Sequence, residues 1–500
     1  MSTTSERFEP TLAGLPVKLK ERIIAHLDDI SLYEDDEDWE DDKASEADEG
    51  TAVVVKAETQ DGETLEVDAL ELLEDPEDQR VAALSALSLV NKEWYSLVAP
   101  VIWRELCLFP CSTESLLELV VEILPCQGKH VDQISFEERP ISPLLEDGAT
   151  DELPSPEGRA LEVVEAAERL ASLDVAPEWE IRVVRARTAL LAQVVKSCPN
   201  VKALDIEGPL RPITVKTGDE EETLVAFSET EVPYLALEAV KSLGGAVEAL
   251  SLLLPPDGIS TEGDAATLLS SFPNLKSLEI NCFTANGDEE AKKADRAALY
   301  TALSSLTKLE ELDLGASNFV IDEFAALPLA FPLTHLALNE YNTLSFPSFI
   351  TLVERFSATL ESLELDGTPH DEDDEATAAH IGKPLNLPKL VELEFATEHK
   401  AAFLDLFAKL PLKTVSIGEC PEITAADVLK FLEAHKATLK QVALEPNGLK
   451  EEESDGEKLA IEVVGDWCEA QGISFAMMLP NAVEAFSDSE DEDEEDGEEA

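Results

Sequence analysis

Leu309-Glu310-Glu311-Leu312-Asp313-Leu314 is the stretch whose reading decides the fold. Its last three residues alternate, so in an extended chain Leu312 and Leu314 point to one face and Asp313 to the other. The same apolar-x-x-apolar-x-apolar spacing returns downstream as Leu333/Leu336/Leu338, Leu360/Leu363/Leu365, Leu390/Leu393/Phe395, Leu412/Val415/Ile417 and Leu439/Val442/Leu444. Upstream it occurs as Val131/Ile134/Phe136, Val201/Leu204/Ile206, Val247/Leu250/Leu252 and Leu275/Leu278/Ile280. Between strands, Tyr300–Leu306, Phe346–Phe356, His399–Leu410 and Ala425–His435 read as helical segments. Each unit is thus strand, turn, helix. One unit cannot bury both of its faces, whereas stacked units share a continuous core.

From Leu275 onward the pattern recurs after 34, 24, 27, 30, 22 and 27 residues. Those intervals lie close to the leucine-rich-repeat period of roughly 20–29 residues. The stretch resembles a leucine-rich-repeat solenoid, an α/β horseshoe with its strands on the concave side. Val415-x-Ile417-x-x-Cys420-Pro421-x-Ile423-Thr424 resembles the cysteine-containing repeats of F-box leucine-rich proteins, in which the cysteine turns inward. At the matching place other units carry Ser317, Tyr341, Thr368 and Asn447. Cys420 reads as a small buried apolar group and not as a nucleophile or ligand.

In such repeats the residue between the last two apolar positions faces the concave surface. From residue 205 onward these are Asp205, Ser251, Glu279, Asp313, Ala337, Glu364, Glu394, Ser416 and Ala443. Acidic side chains predominate among them and none is basic; Glu310, Glu361 and Glu392 add to the same field. Asp205, Glu279, Asp313, Glu364 and Glu394 are therefore the candidate client-binding residues, selecting a basic segment of another protein. The alternative is an ordinary solvated face of an acidic protein.

The N-terminal region reads as short helices. Leu15-Pro16-Val17-Lys18-Leu19 opens one, with Leu19, Ile23, Ile24 and Leu27 on a single stripe. Order resumes at Arg80, where Val81, Leu84, Leu87 and Val90 share a face. Asn91 caps a further helix carrying Trp94, Tyr95 and Val98, with Pro100 as its stop. Leu15-Pro16, Ile23, His26-Leu27 and Leu87-Ser88-Leu89-Val90-Asn91-Lys92-Glu93-Trp94 resemble the two halves of an F-box. The continuation Val98 to Leu106 is similar to fungal F-box proteins. The resemblance implies docking to the Skp adaptor, and through it to a cullin. Leu15, Pro16, Leu19, Ile23, Leu27, Leu87, Val90 and Trp94 would contact that adaptor or shape the surface that does. The chain departs from the pattern in carrying Lys18 two positions after the Leu-Pro pair, where an acidic residue is common. It also splits the box with an acidic insertion, which loop-closure entropy tolerates at about 0.6 kcal/mol per doubling of length. A plain helical hairpin capping the next domain is the competing reading.

Charge is the other pronounced feature. The 500 residues carry a formal net charge of −69, which disfavours nucleic acids and anionic membranes as partners. Acidic residues crowd positions 28–79 and the tail from Ser487, both too charged to pack against themselves. Ser487 and Ser489 precede acidic residues in the manner of sites for acid-directed kinases. Seven scattered cysteines form no metal, redox or disulfide pattern, and no apolar leader or membrane-length run is present. The localisation expected is cytoplasmic or nuclear. No phosphate loop, nucleophile elbow or metal-ligand spacing occurs, so no enzymatic activity, cofactor or metal is expected.

The expected organisation is a flexible start (1–14), F-box helices over 15–108 interrupted at 28–79, and a leucine-rich-repeat solenoid over 109–480. Insertions fall near 140–197, 209–246 and 284–298, and a disordered acidic tail occupies 481–500. The expected function is a non-catalytic substrate receptor of a Skp-cullin-F-box ubiquitin ligase. The alternative is an acidic leucine-rich-repeat scaffold or histone-chaperone-like protein that binds basic proteins.

Overall fold

A computed structural model describes residues 17–18, 20, 23–24, 55–58, 64–67, 76–108, 111–137, 157–175, 179–207, 215–216, 224–225, 235–254, 261–282, 289–315, 319–367, 369, 383–446, 448–450 and 459–478. The chain is mixed α/β, with a parallel sheet of twelve strands that follow one another in chain order. It divides into two compact units, residues 1–250 and 251–500.

In the first unit, helices α1 (Pro76–Val90) and α2 (Lys92–Ile102) precede strand β1 (Glu105–Cys107). Asn91 caps α2, its side-chain oxygen accepting from the N–H groups of Glu93 (2.9 Å) and Trp94 (3.1 Å). The order expected from Arg80 begins earlier, at Pro76. Residues 55–58 and 64–67, inside the expected insertion, pair as an antiparallel hairpin.

Pro100 does not stop its helix as expected, since α2 continues to Ile102. A proline in a helix leaves the carbonyl four residues back without its donor. Here it falls in the last turn of an exposed face, where water can meet that carbonyl, and Trp103 N–H still reaches the Ala99 carbonyl at 3.1 Å.

Strand β1 pairs in parallel with β2 (Gln133–Glu137), and β2 with β3 (Ala203–Glu207). Between β2 and β3, the expected insertion near 140–197 contains α3 (Gly158–Ala171) and α4 (Trp179–Ser197). Arg182 ties them together, donating from Nε and Nη2 to the two carboxylate oxygens of buried Glu168, each at 2.8 Å. Helix α5 (Leu235–Leu243) follows, and strand β4 (Ala249–Leu254) straddles the boundary between the units.

The second unit holds α6 (Glu262–Leu269), β5 (Ser277–Cys282), α7 (Glu289–Ser305), β6 (Glu311–Gly315) and β7 (His335–Asn339). Then come α8 (Phe346–Arg355), β8 (Ser362–Asp366), β9 (Glu392–Ala396) and β10 (Thr414–Ile417). It ends with α9 (Ala425–His435), β11 (Gln441–Leu444), α10 (Ala460–Gln471) and β12 (Ser474–Met477). The segment expected as an insertion near 284–298 is largely the start of α7, which extends well before Tyr300. The helix expected over His399–Leu410 is a short 3₁₀ segment, Ala401–Leu406.

Burial explains why these residues make these strands. Leu278, Leu312, Leu336, Leu363, Leu393, Val415 and Val442 stand opposite one another in register and are all buried. Two residues further along, Ile280, Leu314, Leu338, Leu365, Phe395, Ile417 and Leu444 make a second buried row. Aromatic rings fill the space behind them: Tyr341 stacks on Phe349, and Phe395 on Phe407. Truncating one of these leucines would cost about 2–5 kcal/mol.

A backbone device repeats at the strand entries. The Lys276 carbonyl accepts from both Glu310 and Glu311, Glu310 from Thr334 and His335, Thr334 from Glu361 and Ser362, and Glu361 from Val391 and Glu392. Each unit thereby fixes the register of the next whatever side chain stands there. Gly315 leaves room for the Asn281 side chain, since a Cβ there would lie 1.7 Å from Asn281 Oδ1 and displace it.

Candidate functional site

Opposite the buried rows, the second unit carries a third row in strict register: Glu279, Asp313, Ala337, Glu364, Glu394, Ser416 and Ala443. Neighbouring strands lie about 4.8 Å apart, so Glu279 sits beside Asp313 and Glu364 beside Glu394, with Ala337 between the two pairs. The structure thus brings together four of the five carboxylates expected to bind a client. The fifth, Asp205, belongs to the first unit, where it stands beside Ser135.

The environment of Asp313, Glu364 and Glu394 resists their ionisation. Burial, then the charges of Glu279 and Glu364, push Asp313 up to about 6, against a smaller opposing pull from His335. Glu364 is raised by burial and then by Glu394, and Glu394 by burial and then by Asp366. The Asn339 side chain donates to Asp313 Oδ1 at 3.3 Å.

Two residues before and after, the flanking register rows contain Glu311, His335 and Glu392 on one side and Asn281, Asn339 and Asp366 on the other. None of the residues paired in these three rows from β5 to β11 is lysine or arginine. Glu310 and Glu361 stand at the strand entries, a position that in other units holds Lys276, Lys413 and Lys440. The field at the entries is therefore mixed, and the acidic character belongs to the strand row. What such a row does chemically is to lower its repulsion by accepting cationic side chains.

The N-terminal helices form a separate site in the first unit. Ile24, Leu84, Trp94 and Val98 make a buried cluster, with Ile23, Leu87, Leu97, Val101 and Ile102 packed against it. Trp94 is fully buried, so it shapes this surface from beneath. Ile23 and Leu87 are half-buried, and Val90 is 38% exposed. Leu15, Pro16, Leu19 and Leu27 lie outside the described residues.

Two features here were missed in the sequence reading. Leu89, next to Val90 at the end of α1, is 85% exposed and is the most exposed large apolar side chain among the described residues. Its offset from the Leu84/Leu87 face was the available signal. Lys20 is buried, with its ammonium 2.6 Å from Glu93 Oε2 and 5.5 Å from the centre of the Trp94 ring. It joins the first helical residues to α2 by an ion pair and a cation–π contact.

Cys420 is fully buried and its thiol is pushed up to about 12 by burial, as suits a packing residue. The His370-to-Asp374 run lies outside the described residues. Among the described residues no His, Cys, Asp or Glu group is placed to hold a metal ion, and no helix is long and apolar enough to cross a membrane.

No family model matches the chain, and no curated protein matches it. Among solved structures, the crystal structure of the Rad7 and Elc1 complex in yeast is similar at 11% identity and a TM-score of 0.35. That match covers 78% of this chain and 88% of the other.

Proposed function

We propose that this chain is an F-box protein with leucine-rich repeats, a non-catalytic substrate receptor of a Skp-cullin-F-box type ubiquitin ligase. Its N-terminal helices dock the Skp adaptor, and its strand face holds the client. The observation that carries the docking half is the pairing of a closed apolar cluster around Trp94 with apolar side chains left uncovered beside it. Leu89 and Val90, adjacent at the end of α1, are 85% and 38% exposed. Exposed apolar side chains grouped on a small helical unit mark a surface that a partner completes. The client half rests on the carboxylate row, whose chemistry selects a basic segment. The reaction is performed by an enzyme elsewhere in the complex, and this chain supplies proximity in the cytoplasm or nucleus.

A pulldown with a Skp adaptor tests the reading. Wild type should retain the adaptor, and Leu89→Glu/Val90→Glu should lose at least ten-fold in affinity with an unchanged melting temperature. Failure of the wild type to bind would overturn the ligase reading. It would leave the scaffold or chaperone alternative, which needs only the acidic face.

A further inference from the structure

Among the described residues, no cap follows the two buried rows of the second unit. Their last members are Phe475, opposite Val442, and Met477, opposite Leu444. Phe475 is only partly buried and Met477 is 64% exposed, whereas Val442 and Leu444 are fully buried. The core therefore continues to the last described strand, where Met477 is left exposed.

The backbone is open at the same place. Ser474 N–H donates to the Lys440 carbonyl at 2.9 Å and Met478 N–H to the Leu444 carbonyl at 3.0 Å. By the two-residue alternation of a parallel strand, the N–H and C=O groups of Phe475 and Met477 point away from β11. Among the described strands, β12 is the edge of the sheet.

A groove runs along this edge between α10 and β12, lined by Ile461, Glu462, Gly465, Asp466, Phe475 and Met477. Gly465 lets the Phe475 ring lie close against α10, since a Cβ there would sit 3.2 Å from the ring. Glu462, Asp466 and Glu469 are exposed on α10.

We infer that β12 receives an extended, basic segment of another protein as an added parallel or antiparallel strand. Apolar residues two apart continue the Phe475 and Met477 rows, and lysine or arginine at the alternate positions meets the acidic rim. Backbone hydrogen bonds supply affinity and the groove selects the side chains. Charge decides against a second copy of this chain as the occupant, because a net charge of −69 would meet its like. The inference does not depend on adaptor docking or on the carboxylate row.

The test uses the full chain and the peptide acetyl-Lys-Val-Lys-Val-Lys-Val-amide, followed by fluorescence anisotropy. Binding is expected, and N-methylation of one alternate set of peptide amides should weaken it at least ten-fold while the other set leaves it within two-fold. Equal effects of the two sets would mean attraction by charge alone and would overturn the inference. Met477→Pro removes an outward N–H without touching the ladder to β11, and should lose binding ten-fold at unchanged melting temperature. If that variant melts lower, Met477→Asn, which keeps the N–H but removes the apolar filler, should still weaken binding. Protection of the Phe475 and Met477 amides from hydrogen exchange in the peptide-free chain would show the edge already covered. A concentration-dependent dimer abolished by Met477→Pro would assign it to a second copy. Either result overturns the proposal.

Discussion

Asp313 shows how a carboxylate held in the strand row costs the fold stability. Its carboxyl is raised from the ordinary value near 3.8 to about 6 by burial and by Glu279 and Glu364. A raised carboxyl means the folded state holds its proton more tightly than the unfolded chain. The contribution is thus fully favourable below about pH 4 and is lost as pH rises through 6. Asp313→Asn should therefore stabilise the protein at pH 7.5 by about 1–2 kcal/mol, after discounting for solvent screening. The gain should shrink towards pH 4.5 in urea titrations at the two pH values. His435 runs the other way: buried against the Leu410 carbonyl, its imidazole is lowered by burial. A lowered histidine contributes stability above its ordinary value near 6.5, and that contribution is lost as pH falls below it.

At the scale of the element, Asn91 is the residue on which the N-terminal helical arrangement turns. Its side chain satisfies two N–H groups at the start of α2 and sets the turn from α1, bringing Trp94 against Leu84. Asn91→Ala should cost about 1 kcal/mol, read as a lower melting temperature, whereas Asn91→Ser should restore most of it. This cap was legible in the sequence, as were Trp94 and Val98 on one helix face. The exposure of Leu89 and the burial of Lys20 were not. Both depend on which helices meet, and a stripe pattern records periodicity without recording the neighbour.

Across the whole molecule, ten of the twelve strands could be read from the apolar-x-x-apolar-x-apolar spacing. The first and last were not. Strand β1 does fit the spacing through Trp103, Leu106 and Leu108, but it follows a helix that absorbs Trp103 as its cap. Strand β12 shortens the pattern to Ile473, Phe475 and Met477, because Gly472 has just ended α10 in a left-handed turn with φ of 69°. Among the described strands both lie at ends of the sheet, where a strand has only one neighbour to satisfy. The acidic row spans several repeats, so its role is read by reversing several charges at once. Glu279→Lys/Asp313→Lys/Glu364→Lys, in a chain truncated after residue 480 to remove the acidic tail, should abolish capture of an arginine-rich peptide. The unreversed truncated chain should bind it with an affinity that falls steeply with salt. Unchanged capture would leave the row as a solvated face.

The sequence by itself determined the repeating unit, the face each strand residue takes and the acidic excess. These follow from local periodicity and composition, which every residue carries with it. Only the tertiary structure decided that Glu279, Asp313, Glu364 and Glu394 stand abreast and that Leu89 stays uncovered. It also decided that Met477 stands exposed at the last described strand. Those depend on register between strands far apart in the chain, and on which surfaces find a neighbour. No local pattern encodes either.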